Sequence, residues 1–202
     1  MSDAENPNII LTSSFNAVAK ELLKEGFLPP PSVTVAFVAT AGEPYKERPW
    51  IEADRRALVE LGYQVTDVTL KDENPSSLKS LLAPFDIIFV AGGNTTYLAE
   101  HARRAGFKGV IHDLLRQGKL YVGSSAGSIL VGPTVEPFIE EDLPDLPPEF
   151  DIEDTATLGL VDYVVLPHHP AFAEKNDKLA KLFKDRCRFV PMKDSEYRTE
   201  TV

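Results

Sequence analysis

Short apolar runs alternate with amphipathic segments along most of this chain, and four of the amphipathic segments stop at a glycine: Gly26, Gly62, Gly106 and Gly118. Glycine accepts the positive φ that closes a helix at C′, so these four read as helix stops. Residues 8–12, 33–38, 63–70, 85–91, 120–122 and 161–166 read as strands, with 189–192 as a last one. Residues 15–25, 47–61, 76–82, 96–105, 110–117 and 173–186 read as helices. On the helix over 47–61, Trp50, Ala53, Ala57, Leu58 and Leu61 fall on or near one face. Strands alternating with helices of this length predict a mostly parallel sheet covered on both sides, an α/β/α three-layer arrangement. At 202 residues the simplest reading is one domain over 1–202. The polar end, 194–202, is either an edge strand or a tail.

The charge is placed unevenly. The chain carries 21 basic and 31 acidic residues, a formal net charge of −10. Nine of the acids lie between Glu136 and Asp154, where there is no Lys or Arg. Pro137, Pro144, Pro147 and Pro148 keep that segment from being a regular helix, so it is a surface excursion or a loop over a site. This balance argues against nucleic acid as partner, which needs a basic footprint. No apolar run is long enough to span a membrane, and the polar, acidic residues 1–7 do not read as a signal peptide. The single cysteine, Cys187, fits a reducing, cytoplasmic setting and reads as an ordinary thiol.

Chemistry concentrates where loops leave the carboxyl ends of strands. The strand at 120–122 runs into Gly123-Ser124-Ser125-Ala126-Gly127, which is G-x-S-x-G followed by a helical pattern. A serine on a tight strand-to-helix turn, with glycines on either side, is a nucleophile elbow, and the next N–H, at Ala126, faces a developing oxyanion. The alternative is a glycine-rich turn with a solvated serine. After the strand at 85–91 comes Gly92-Gly93-Asn94, whose backbone amides can also face negative charge, or which forms a turn with Asn94 or Thr95 as a helix N-cap. After the strand at 161–166 comes Pro167-His168-His169. His168, first after the strand, is the candidate base for a serine hydroxyl, and His169 is the fallback. His101 and His112 fall within amphipathic helices and read as packing or surface residues. The base needs an orienting acid, and Glu140, Glu141 and Asp142 lie between serine and histidine in the chain. Adjacent histidines point opposite ways and no ligand pair supports them, so no metal is expected. No phosphate-binding glycine motif is present and no cofactor is expected.

These residues resemble the serine peptidases of the peptidase E (α-aspartyl dipeptidase) and cyanophycinase family. The resemblance rests on residues 88–98, Ile-Phe-Val-Ala-Gly-Gly-Asn-Thr-Thr-Tyr-Leu, on residues 118–127, and on Leu158-Gly-Leu with Leu166-Pro-His168, in that order. It implies a flavodoxin-like sheet related to class I glutamine amidotransferases, with serine in place of their cysteine. It implies Ser125 as nucleophile, His168 as base, and amides at Gly93 and Ala126 as oxyanion hole. It implies an acid in the loop after the elbow, for which Asp142 fits best and Glu140 and Glu141 are alternatives. Gly92, Asn94 and Lys175 are the substrate-binding candidates, the substrate is a short peptide, and a homodimer is implied. Aspartyl dipeptidases carry an arginine-containing segment after the histidine; here residues 171–178 hold Lys175 and Lys178 but no arginine.

The reading is a serine dipeptidase working through a Ser-His-acid triad and an acyl-enzyme, with Asp-X or neutral or basic peptides as substrate. A non-catalytic α/β module binding a small ligand in the same cleft is the alternative from another class. An α/β-hydrolase esterase shares the order Ser, Asp, His, but gaps of 17 and 26 residues leave no room for its intervening strands.

Overall fold

The computed structural model describes residues 7–148 and 150–202; the acidic residues 1–6, read above as no signal peptide, and Glu149 lie outside the described residues. Five strands, β1 (Ile9–Thr12), β2 (Thr34–Val38), β3 (Gln64–Val68), β4 (Ile87–Val90) and β5 (Leu120–Ser124), pair in parallel in the order β3-β2-β4-β5-β1. Two further strands, β6 (Tyr163–Leu166) and β7 (Arg188–Pro191), pair in parallel apart from this sheet. A sixth member of the main sheet, β8 (Tyr197–Glu200), runs antiparallel along β1. The polar end of the chain is thus an edge strand, and β1 is interior.

Sequence periodicity explains the layers. Side chains alternate across a strand, so Ile9 and Leu11 enter one core while Ile10 enters the other. The first core is closed by α3 (Pro75–Leu82), α4 (Thr95–Arg104) and α5 (Phe107–Arg116), through residues such as Leu78, Leu98 and Ile111. The second is closed by α1 (Phe15–Lys24) and α2 (Pro49–Glu60), through Phe15, Leu22, Ile51 and Leu58. In that second core Phe37 stacks on Phe89 at 5.0 Å and Phe15 meets Phe89 edge-on at 4.8 Å. The remaining α-helices are two four-residue turns, α6 (Ala126–Ile129) and α7 (Ile139–Asp142), and α8 (Ala173–Leu182). Among the described residues no helix is long and apolar enough to cross a membrane.

Of the residues expected on the inward face of α2, Leu58 is buried and Ala57 and Leu61 pack against the second core, but Trp50 departs from it. Ile51, Asp54 and Leu58 are the buried residues, while Trp50 is 39% exposed. The helix starts at Pro49, so Trp50 sits in its first turn, where it leans over the sheet end and donates its indole N–H to the Gly92 carbonyl at 3.3 Å.

The elbow requires its glycines for a reason of contact. A Cβ on Gly127 would lie 2.0 Å from the Val90 carbonyl oxygen, and one on Gly123 would lie 2.7 Å from the Gly127 carbonyl. Both obstacles are backbone, so relief requires α6 to lift off β4 in the first case and off β5 in the second. Gly127→Ala is therefore expected to lower stability by about 3 kcal/mol or more, read as a fall in the midpoint of urea unfolding.

Candidate active site

The carboxyl ends of β1, β4, β5 and β6 converge on one cleft of about 370 Å³, the location expected for a ligand site in an open α/β sheet. Ser125 follows β5 with φ 49° and ψ −109°, a left-handed conformation that costs a non-glycine residue about 1–3 kcal/mol. The turn is held because the Ser125 N–H donates to the Thr12 carbonyl at 3.0 Å while its own carbonyl accepts from Ser128 and Ile129. The strain turns Oγ out of the sheet end and into the cleft.

His168 leaves β6 after Pro167, also with positive φ, 60°. Its Nε2 stands 3.0 Å from Ser125 Oγ, and its Nδ1 stands 2.7 Å from Asp194 Oδ1. A carboxylate can only accept, so Nδ1 carries the imidazole proton and Nε2 is left to accept from the serine hydroxyl. The Phe172 ring lies edge-on to the imidazole at 5.8 Å and narrows its approach to solvent.

The acid on the histidine is Asp194, in place of the expected Asp142. Asp142 Oδ2 accepts from the Thr96 N–H at 2.8 Å and the Thr96 hydroxyl at 2.7 Å. Thr96 lies in the first turn of α4, where unpaired N–H groups and the helix dipole favour an anion. That engagement commits Asp142 to fastening the acidic segment to α4. Glu140 is exposed, and Glu141 pairs with Lys175 on α8. Neither reaches the imidazole, whose polar ring partners among the described residues are Ser125 and Asp194. Asp194 lies two residues beyond the last apolar run, 189–192, a position near a strand end like that of His168.

Gly92 and Gly93 line the cleft beside the serine. A Cβ on Gly92 would meet Ser125 Cβ at 3.1 Å, and one on Gly93, at φ 145°, would lie 2.2 Å from the Ala41 carbonyl oxygen. Among the described residues neither the Gly93 N–H nor the Ala126 N–H donates a hydrogen bond, so both remain open to an acceptor. Asn94, expected at the substrate, is fully buried instead. Its Oδ1 caps α4 through the Tyr97 N–H at 2.8 Å and its Nδ2 donates to the Asp142 carbonyl at 2.9 Å. His169 is held by its backbone N–H on the Met192 carbonyl, away from Ser125. Lys175 does line the cleft, with its ammonium over the Phe172 ring and paired to Glu141. Cys187 is buried, which pushes its thiol up, away from the thiolate a nucleophile needs.

The acidic segment forms one wall of the cleft through short turns: a 3₁₀ turn at Glu136–Phe138, α7, and a 3₁₀ turn at Leu143–Asp145. It is tied down by Arg186 on Glu136, Arg103 on Glu153 at 2.9 Å, and the Tyr45 hydroxyl on Asp145 at 3.0 Å. On the opposite side, buried Asp54 accepts from the Asn16 N–H and Nδ2, each at 2.9 Å. Burial pushes the carboxyls of Asp54 and Asp142 above the ordinary aspartate range, with their hydrogen bonds working against that rise.

An acid whose folded pKa is raised contributes stability below its unfolded pKa and loses it as pH rises through the folded one. Removing the Thr96 hydroxyl takes a donor from ionised Asp142 and raises that carboxyl further. Thr96→Val is therefore expected to cost about 1.5–3 kcal/mol at neutral pH. The cost shrinks as pH falls and Asp142 protonates, measured by urea unfolding at pH 7 and pH 4.

The family model of Peptidase family S51 matches residues 9–194. An uncharacterized peptidase of Listeria innocua serovar 6a is 33% identical over 94% of this chain and 90% of its own length. The crystal structure of a candidate peptidase E from Listeria monocytogenes EGD-e superposes with a TM-score of 0.82 at 28% identity, covering 97% of this chain and 98% of that one. A protein named Peptidase E from Shigella flexneri is 29% identical over 67% of this chain, and the match spans 55% of that protein.

Proposed function

The chain belongs to peptidase family S51 and is a peptidase, and from that premise we propose that it hydrolyses short peptides with Ser125 as nucleophile, His168 as base and Asp194 as the orienting acid. The observation that carries this is the unbroken relay, 3.0 Å from Ser125 Oγ to Nε2 and 2.7 Å from Nδ1 to Asp194, with Ser125 and His168 lining the cleft. Nε2 takes the hydroxyl proton as Oγ attacks the peptide carbonyl carbon. The carbonyl oxygen becomes an oxyanion and accepts from the Gly93 and Ala126 N–H groups. The imidazolium, stabilised by Asp194, returns the proton to the leaving amine, and an acyl ester remains on Ser125. Water then repeats the sequence and releases the acid.

Specificity follows from the charge of the walls. Asp54, Glu141, Asp142 and Asp145 line the cleft, and the lysine among them, Lys175, is already paired with Glu141. An acidic side chain beside the scissile bond would enter a region of like charge with its nearest cation neutralised. This supports neutral or basic peptides over Asp-X.

A fluorophosphonate probe is expected to label wild-type protein at Ser125, with no adduct on Ser125→Ala by intact-mass measurement; an unlabelled wild type would favour a ligand-binding module instead. Asp194→Asn is expected to lower kcat by about 10⁴-fold, as loss of the orienting acid does in serine peptidases. Asp142→Asn should keep kcat within about tenfold, since that acid acts on α4 and not on the imidazole. In a dipeptide panel, neutral and Arg-X substrates should exceed Asp-X in kcat/KM by about tenfold or more, the equivalent of one like-charge contact. Asp-X as the best substrate would reverse the specificity assignment and leave the nucleophile untouched.

A further inference from the structure

Ser13 follows β1 directly, is fully buried, and has its hydroxyl between two members of the relay. The His168 N–H donates to Ser13 Oγ at 2.7 Å, and the Ser13 hydroxyl donates to Asp194 Oδ1 at 2.7 Å. That same Oδ1 accepts from His168 Nδ1. One residue earlier, the Thr12 carbonyl accepts the Ser125 N–H at 3.0 Å. The nucleophile and the imidazole come from separate sheets, and two consecutive residues at the end of β1 hold both.

We propose that Ser13 is a positioning residue of this peptidase: its hydroxyl sets the Ser125–His168 separation and aims the Asp194 carboxylate. The inference rests on the peptidase reading of the relay.

Three observations argue for it. His168 has a left-handed backbone, so its N–H points away from any strand ladder, and its acceptor among the described residues is Ser13 Oγ. Asp194 sits in the turn before β8 with its side chain 52% exposed, where a carboxylate free to rotate would present either oxygen at variable angles. A second donor on Oδ1, from a group with no solvent exposure, removes that freedom. The Ser13 hydroxyl itself cannot drift, because Thr12 is pinned by its N–H on Ser128 Oγ at 3.0 Å and by its hydroxyl on the Gly123 carbonyl at 2.8 Å. A serine oxygen acts here as acceptor and donor at once, which alanine cannot do. Orientation of this kind controls rate, because small misplacement of reacting groups is costly.

The test compares full-length wild type, Ser13→Ala and Ser13→Cys, which keeps an atom in place with a weaker donor. Fluorophosphonate labelling of Ser125 is followed at saturating probe, and the low-field proton NMR resonance of the His168 Nδ1–H is recorded alongside. Ser13→Ala is expected to lower the maximal labelling rate by about 10- to 100-fold, with the half-saturating probe concentration within about twofold. The low-field resonance should shift or broaden, and Ser13→Cys should fall between the other two. Ser13→Ala labelled at the wild-type rate overturns the proposal, and so does a slower rate with the resonance unmoved. A wild type that the probe does not label at Ser125 overturns the peptidase reading, whereas a labelled wild type with an equally fast Ser13→Ala overturns the role of Ser13 alone.

Discussion

The hydrogen bond from the Ser125 N–H to the Thr12 carbonyl continues the β1–β5 ladder one residue beyond the last paired strand positions, Thr12 and Ser124. Past that point the backbone of β5 turns into a conformation that serine does not choose unaided. The ladder, the α6 turn behind it and the close approach of Gly127 to β4 are what make the conformation affordable in a cooperative fold. Remove the parallel pairing and the serine relaxes to an ordinary turn, with its hydroxyl no longer aimed across the cleft. β8 protects this pairing from the other side by covering the second edge of β1, so the strand on which the elbow leans is not itself a frayed edge.

Charge is distributed around the cleft in a way that separates two kinds of acid. Asp194 faces the imidazole at the rim, with its side chain about half exposed. Asp54 and Asp142 are withdrawn from water and held by donors, Asp54 from α1 and Asp142 from the start of α4. Both withdrawn acids join elements together, α1 to α2 and the acidic segment to α4. The net charge of the acidic segment is therefore structural in part: Glu136, Glu141, Asp142, Asp145 and Glu153 each have a partner outside the segment.

Much of this was legible in the sequence because it rests on local rules. Alternation with glycine stops fixes strands and helices; G-x-S-x-G locates Ser125; the strand-end rule locates Gly92, Gly93 and His168. The missing acid had a different cause. Glu140, Glu141 and Asp142 are conspicuous as a run, and they lie between serine and histidine in the chain, but chain order carries no information on which carboxylate reaches a given nitrogen. That is decided by pairing of β6 with β7 in a sheet of its own, which carries the turn after β7 to the imidazole. Trp50 failed for a related reason. Helical periodicity assigns it to an apolar face, yet in a first turn the neighbouring surface is the open sheet end. Ser13 offers no signal at all, since one serine after a strand is common and its two partners are 155 and 181 residues away.

The placement of β6, β7 and β8 late in the chain has a consequence during synthesis. A polypeptide that folds from its amino terminus as it emerges can assemble β1 to β5 and the strained turn at Ser125 while the imidazole and its carboxylate are still unmade or unfolded. The nascent hydroxyl then has no proton acceptor and is chemically quiet among the other unfinished chains around it. On the proposed mechanism, reactivity arrives only when the turn after β7 docks, so maturation of the nucleophile coincides with completion of the fold.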